Sequence, residues 1–151
     1  MRVGYPIKIM FKNEDFFTLY FDEDDELLIK NNEIVCYKSE KELYDVECLN
    51  YKIDESLCVY DFNRNIYQNP IDYNEVLDKW NLLNTIAKGF KMYFEGDQKN
   101  KTFTYNFLFK CVFSEEALPK YYKLPKKCIL NINKVFKKSE RYLRKLIIKE
   151  R

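Results

Sequence analysis

Residues 71–90, IDYNEVLDKWNLLNTIAKGF, form the segment in which every local signal predicts the same structure. Asp72 is a good N-cap, and Glu75 lies three residues later, where it can complete a capping box. Gly89 is placed to end the helix in a left-handed conformation. The apolar residues recur at three- and four-residue spacing, which is typical of one buried helix face; they are Val76, Leu77, Trp80, Leu83, Ile86, Ala87 and Phe90. We therefore expect a central amphipathic helix that carries the single tryptophan into a core.

The composition predicts one packed domain over residues 1–151. A hydrophobic share of 46% and an aromatic share of 17% are ample for a core, and the length suits a single domain. Charges interrupt each apolar run before about 18 residues, and the N-terminal residues have no small-residue cleavage site, so we expect no membrane span and no signal peptide. The five cysteines contain no CxxC, so we expect free, buried thiols in a reducing compartment and a cytoplasmic location without membrane contact.

The chain contains no histidine, which excludes several kinds of catalytic and metal-binding site. It removes histidine general bases, Ser-His and Cys-His nucleophile pairs, and zinc sites other than an all-cysteine site, which the cysteine spacing does not suggest. We therefore expect a protein that is not an enzyme and that uses no cofactor and no metal. An enzyme that works with carboxylate or tyrosine chemistry stays open as a third alternative, and it would need a concave pocket.

Five strand patterns and one helical pattern precede the central helix. Alternating apolar residues predict strands at residues 5–12, 16–21, 27–30, 33–37 and 57–62, the last as an inner strand. Ser39 opens a helix that is expected to run to about residue 50 and to bury Leu43, Val46 and Leu49.

After the central helix, residues 91–95 and 102–113 predict a long hairpin around a polar turn at residues 96–100. From residue 126 the pattern predicts a terminal helix, with a strand through 128–132 as the alternative. Because strands and helices follow one another without βαβ alternation, we predict an α+β fold in which helices cover one face of an antiparallel sheet.

Five consecutive acids, Asp22, Glu23, Asp24, Asp25 and Glu26, are the most unusual local feature. Their mutual repulsion predicts a solvated turn or strand edge. One interpretation is a charged hairpin loop that blocks edge-to-edge pairing of sheets. Another is a docking surface for a basic partner, where charge complementarity gives fast and specific association. A calcium loop is disfavoured because the spaced D-x-D-x-D-G pattern is missing.

The charges are distributed unevenly along the chain. Residues 1–119 contain 14 Lys/Arg and 22 Asp/Glu, whereas residues 120–151 contain 12 and 2. The basic residues expected on one exposed helical face are Lys134, Lys137, Lys138, Arg141, Arg144 and Lys145. They suit a solvated face, a protein partner, pairing with the acidic front of the same chain, or nucleic acid. A pI of about 8.1, the acidic front and the lack of a known motif argue against nucleic acid.

Residues 60–62 and 69–87, a strand, a loop and a helix with the core WNLLNTIA, resemble the central part of some bacterial immunity proteins. Those proteins guard cells that carry polymorphic or contact-dependent growth-inhibition toxins. The resemblance implies a cytoplasmic protein that binds one cognate toxin domain, often a nuclease, and occludes its active site or substrate groove. The five acids would then imitate phosphate charge. The alternative is a nucleic-acid-binding or regulatory protein that uses the basic terminal helix. The oligomeric state stays open.

Overall fold

The computed structural model describes residues 1–64, 66–116 and 118–149, without the side chains of residues 100 and 147–149. These residues form helices and sheets in which most strand pairs are antiparallel, so the α+β class is confirmed. They group into two compact units, one made of residues 1–63 and 141–151 and the other of residues 64–140. That the whole chain is a single domain stays a prediction.

The first unit is built around its first strand. Its strands are β1 (Val3–Phe11), β2 (Glu14–Phe21), β3 (Glu26–Leu27), β4 (Ile29–Lys30), β5 (Glu33–Ile34), β6 (Lys52–Ile53) and β7 (Cys58–Asp61). The main sheet has the order β3-β2-β1-β6, and β7 also pairs with β1. The β1–β2 and β2–β3 pairs are antiparallel, whereas β6 and β7 lie parallel to β1.

Two tight turns of the first unit each contain two successive residues with positive φ, and three of these four residues are asparagines. Lys12 and Asn13, with φ of 52° and 62°, connect β1 to β2. Asn31 and Asn32, with φ of 54° and 61°, connect β4 to β5. Two successive positive φ angles define the type I′ geometry that matches strand twist, which asparagine tolerates well. Each of these strand pairs is therefore a β-hairpin.

Helix α1 (Glu40–Glu47) begins as predicted, with the Ser39 Oγ accepting a hydrogen bond from the amide of Glu42 at 3.1 Å. Leu43 is fully buried and packs in a cluster with Phe17, Leu19 and Phe21 of β2 and with Leu28, which lies between β3 and β4. The predicted burial of Val46 and Leu49 is wrong, because they are 47% and 78% exposed. The helix ends before Leu49, and its buried face contains Glu47 instead.

Strand β7 is not the inner strand that its apolar sequence predicts. In the part of the chain that is described, it pairs with β1 alone, and Val59 is 54% exposed. The apolar run is therefore an edge strand with one side chain row in solvent. Its parallel pairing with β1 also adds a parallel element to the expected antiparallel sheet.

The second unit is largely helical. Its elements are β8 (Ile71–Asp72), α2 (Tyr73–Gly89), a 3-10 turn (Glu95–Asp97), α3 (Lys99–Val112), β9 (Tyr121–Tyr122) and α4 (Lys126–Lys138). Helix α5 (Glu140–Lys149) follows, and its residues from 141 onward belong to the first unit. Strands β8 and β9 pair antiparallel.

Helix α2 confirms the central prediction with two local corrections. The Asp72 Oδ1 caps the helix by accepting from the amide of Glu75 at 3.2 Å. The Glu75 carboxylate does not complete the capping box, because its Oε1 accepts from Lys79 Nζ at 2.5 Å. The left-handed residue after the helix is Lys91, with φ of 53°, and not Gly89. The apolar stripe is buried from Val76 to Ala87, with Trp80 at 2% exposure, whereas Phe90 is half-buried.

Helix α3 replaces the predicted hairpin, which is wrong. The aromatic residues at 103, 105, 107 and 109 alternate as in a strand, yet the buried positions Thr104, Leu108 and Cys111 follow helical spacing. These three side chains form one stripe, so the aromatic rings lie on both flanks of it. The alternation therefore arises from the flanks of a helix.

The predicted terminal helix is present as two helices, and the alternative strand at 128–132 is wrong. Ser139 separates α4 from α5, and its Oγ donates to the carbonyl of Val135 at 2.7 Å. A hydroxyl that bonds back to the preceding turn competes with continued helix. All five cysteines are free, but only Cys111 and Cys128 are buried as predicted, whereas Cys48 and Cys58 are exposed.

Candidate partner-binding site

The acidic run lies at the turn between β2 and β3. Phe21 and Glu26 pair across the strands, and the amide of Asp25 bonds to the carbonyl of Asp22 at 3.3 Å. Asp25 has a φ of 49°, which its short side chain tolerates. The four residues from Asp22 to Asp25 are exposed, and Glu26 is half-buried. The predicted solvated turn at a strand edge is therefore confirmed.

Part of the run is held by side chains of its own unit. The Arg2 guanidinium bonds to Asp24 and, at 2.9 Å, to Glu26 Oε1. Its Cζ also lies 4.1 Å from the centroid of the Phe21 ring. The Tyr20 hydroxyl donates to Asp25 Oδ1 at 2.8 Å. Because the phenol is partly buried and faces Asp25, its pKa is raised.

Asp22 and Glu23 are left at the tip of this acidic loop, which we define as residues 22–26. Their side chains make no ion pair among the described residues. The first unit, residues 1–63 and 141–151, contains 12 Lys/Arg and 16 Asp/Glu. The tip charges thus project from a negative unit, and the contacts of Arg2 and Tyr20 fix the backbone that presents them. A fixed loop loses little conformational entropy on binding.

The six basic residues of the alternative site do not lie on one helix. Lys134, Lys137 and Lys138 belong to α4, and Lys138 Nζ lies 3.3 Å from the buried Glu95 carboxylate. Arg141, Arg144 and Lys145 belong to α5. The break at Ser139 therefore divides the helical face that the sequence predicts.

A cluster that sequence reasoning missed surrounds a buried lysine on α2. Lys79, with a side chain 3% exposed, donates to Glu75 Oε1 at 2.5 Å and to the Tyr67 hydroxyl at 3.0 Å. Asn133 bonds to the backbone amide and carbonyl of Tyr67 at 2.7 and 3.0 Å. Tyr67 and Glu75 line a cavity of about 150 Å³ together with Arg64. In the sequence, the i,i+4 spacing of Glu75 and Lys79 is the signal that indicates this ion pair.

A second cavity of about 250 Å³ lies between α2 and α3. Its lining residues are Trp80, Asn81, Asn84, Phe94, Gly96, Asp97, Thr102 and Tyr105. The Trp80 ring packs edge-on against Phe94 with centroids 6.1 Å apart, and both rings are buried. A Cβ on Gly96 would lie 2.9 Å from Trp80 and closer still to Phe94, so glycine permits the turn to approach the rings.

Within the described ranges, no group of three His, Cys, Asp or Glu side chains is arranged to hold a metal ion. The described helices likewise include none with both the length and the apolar character to cross a membrane.

Comparison with known proteins shows a similarity of fold and no match in sequence to a family model or a curated protein. Among solved structures, the chain is similar to the crystal structure of the SatS C-terminal domain in complex with bromine. The two share 18% sequence identity and a TM-score of 0.57 over 93% of this chain and 90% of that chain. The described arrangement of helices and strands thus resembles one that has been determined experimentally.

Proposed function

We propose that this protein is an immunity-like protein that binds a basic protein partner through the acidic loop. The observation that carries the proposal is the construction of the loop. Arg2 bonds to Asp24 and Glu26, and Tyr20 bonds to Asp25. The charged side chains of Asp22 and Glu23 at the tip remain exposed. Charges that are fixed before binding steer association and select the partner.

The nature of the partner follows from the resemblance of residues 60–62 and 69–87 to immunity proteins. A toxin domain that cleaves nucleic acid needs a basic substrate groove, and a row of carboxylates can occupy such a groove in place of phosphates. Occlusion of the groove needs no catalytic group in the inhibitor. We therefore propose a cognate toxin domain of the nuclease type as the partner and a cytoplasmic location.

The test begins with capture of the tagged protein from its own cells at moderate salt, with nuclease added. A single stoichiometric protein that stays bound at high salt is expected, with a basic C-terminal toxin domain as its binding region. Co-expression must then restore growth to cells that make this domain. A captured protein whose toxicity is unaffected by co-expression would refute the proposal.

Charge variants then test the acidic loop. Asp22→Asn with Glu23→Gln removes two tip charges and leaves the contacts of Arg2 and Tyr20 in place. We expect the association rate with the captured domain to fall at least about tenfold at low salt, because steering depends on charge. The matched control is Glu14→Gln with Glu55→Gln, which removes two exposed charges elsewhere in the same unit. Equal effects of the two variants would show that the loop is not the interface.

A further inference from the structure

Helices α3 and α4 form a positively charged surface of the second unit. Together they contain eight lysines and no aspartate or glutamate, and all of these lysines except Lys101 are exposed. The helices are in contact, since Asn131 Nδ2 donates to Thr104 Oγ1 at 3.0 Å. Lys127 Nζ also lies 5.8 Å from the centroid of the Phe103 ring. A surface of this kind attracts polyanions.

One flank of α3 and its C-cap carry aromatic rings, of which the first is half-buried and the other two are exposed. Tyr105, Phe109 and Phe113, which we call the aromatic row, follow at four-residue intervals. Their ring centroids are 6.3 and 4.5 Å apart in order along the helix. Phe109 is 46% exposed and Phe113 is 64% exposed. Contiguous apolar rings at a surface mark a binding site when they are bordered by charge.

The aromatic row leads into the cavity between α2 and α3, because Tyr105 is also one of the cavity walls. Asn81 and Asn84, both exposed residues of α2, contribute amide groups to the same cavity. An asparagine amide both donates and accepts, which is the pattern that the edge of a nucleobase can match. The cavity thus combines an aromatic wall with groups that can recognise a base.

We propose that single-stranded nucleic acid binds along α3. One base enters the cavity beside Tyr105, where Asn81 and Asn84 bind its edge. The following bases stack on Phe109 and Phe113, and the exposed lysines of α3, Lys99 and Lys110, neutralise the phosphates. Stacking on a row of rings requires unpaired bases, so a duplex is a poorer ligand. The negative charge of the acidic loop does not argue against this site, because residues 64–140 contain 14 Lys/Arg and 8 Asp/Glu.

A basic surface with exposed rings could also attract an anionic membrane. The amides of Asn81 and Asn84 and the spacing of the rings favour bases, because acyl chains offer no hydrogen-bond partner and no flat face. We therefore commit to nucleic acid and leave the membrane as an outcome of the test. DNA and RNA share the chemistry of stacking and phosphate contact, so both are tested.

The experiment uses the intact protein and fluorescein-labelled single strands of about 12 nucleotides, a length within the usual site sizes. Anisotropy titrations with oligo(dT), oligo(dA) and oligo(rU) are expected to show binding at about 50 mM salt that weakens steeply toward 200 mM. A duplex of equal length should bind more weakly. The fluorescence of Trp80, the single tryptophan, should change on addition of the single strands, because its ring lines the cavity.

Two variants separate stacking from general charge attraction. Phe109→Ala with Phe113→Ala is expected to lower the affinity for single strands at least about tenfold. Phe103→Ala removes an equally exposed ring from the opposite flank of α3 and should change the affinity less than about twofold. Circular dichroism confirms that each variant is folded.

The proposal is overturned if no single strand binds at low salt, or if the double variant binds as well as the unchanged protein. It is also overturned if vesicles that contain phosphatidylserine bind through the aromatic row and nucleic acid does not. Asp22→Asn with Glu23→Gln should leave nucleic-acid affinity undiminished. Because this variant changes the acidic loop alone, it tests the protein partner of the loop separately from nucleic-acid binding along α3.

Discussion

The Tyr37 hydroxyl donates a hydrogen bond of 2.6 Å to Oε2 of the buried Glu47 carboxylate. The other oxygen, Oε1, accepts from Asn50 at 3.3 Å and lies 3.6 Å from Lys30 Nζ. Glu47 is 1% exposed, so these partners replace the water that a carboxylate requires. The relationship fixes the end of α1 to the segment that follows β5.

We expect Tyr37→Phe to lower the free energy of unfolding by about 2 kcal/mol, the usual size for a hydrogen bond to a charged group. Urea unfolding at pH 7 measures the loss. Tyr5→Phe, at a more exposed tyrosine of β1, is the control and should change stability by less than about 0.5 kcal/mol. An unchanged midpoint for Tyr37→Phe would contradict the role of this bond.

The same bond predicts a loss of stability at alkaline pH. Burial and the Glu47 carboxylate raise the pKa of Tyr37, and burial with Asp25 raises that of Tyr20. The protonated phenols are therefore favoured in the folded chain, and their contribution is complete below pH about 10, the pKa of an unfolded tyrosine. Above that pH the contribution declines. Unfolding free energies measured from pH 8 to 11 should fall less steeply in Tyr20→Phe with Tyr37→Phe.

Thr18 offers a way to stabilise the protein. Its Oγ1 is buried in β2 and has no hydrogen-bond partner within the described residues. Thr18→Val keeps the shape and removes the unpaired hydroxyl, so the free energy of unfolding should rise by about 1 kcal/mol. Thr18→Ala removes the methyl group as well and should be destabilising. A melting temperature for Thr18→Val below that of the unchanged protein would show that the hydroxyl has a partner.

Gly96 is required by the close packing of its turn against Trp80 and Phe94. We expect Gly96→Ala to lower the free energy of unfolding by about 1–3 kcal/mol, the usual cost of overpacking. The emission of Trp80 should shift at the same time, because the ring must move. Gly4→Ala is the comparison, since its Cβ would lie 3.0 Å from the flexible end of Leu19. Equal stability of Gly96→Ala and the unchanged protein would mean that the turn adjusts freely.

The cysteines should separate into classes by their reactivity toward a thiol reagent. Cys48 and Cys58 are exposed and should react first, whereas Cys111 and Cys128 are buried. Burial also raises the pKa of both buried thiols, which lowers the fraction of reactive thiolate. Mass spectrometry after brief alkylation of the native protein measures the order. Rapid modification of Cys128 would indicate frequent opening of α4.

The sequence predicts those elements whose signals are local and agree. Asp72 and the apolar stripe specify α2 because a cap and a helical period reinforce each other. The paired asparagines 31 and 32 specify their hairpin because few residues adopt positive φ at two successive positions. In each case the determining atoms lie within one or two turns of chain.

Other features depend on contacts between distant residues, and local patterns mislead there. Phe103 and Phe109 belong to an alternating run, but the packing of Thr104 against Asn131 on α4 selects the helix. The turn at Asp22–Asp25 could be predicted from repulsion, whereas the role of Arg2 could not, since it lies 22 residues from Asp24 in the chain. The cavity beside Tyr105 forms only if α3 is a helix, so a pattern that predicts a hairpin there cannot predict the cavity.

The first unit is assembled from two stretches of chain, residues 1–63 and residues 141–151. During synthesis the ribosome must produce all of residues 64–140 before α5 can supply the buried side chains of Tyr142, Leu143 and Leu146. Because domains generally fold as they emerge, the second unit, which is continuous, has the opportunity to finish first. Until α5 is available, the apolar surface that it covers stays exposed in the nascent first unit. The dependence of the chain on chaperones should therefore be greatest just before α5 leaves the exit tunnel.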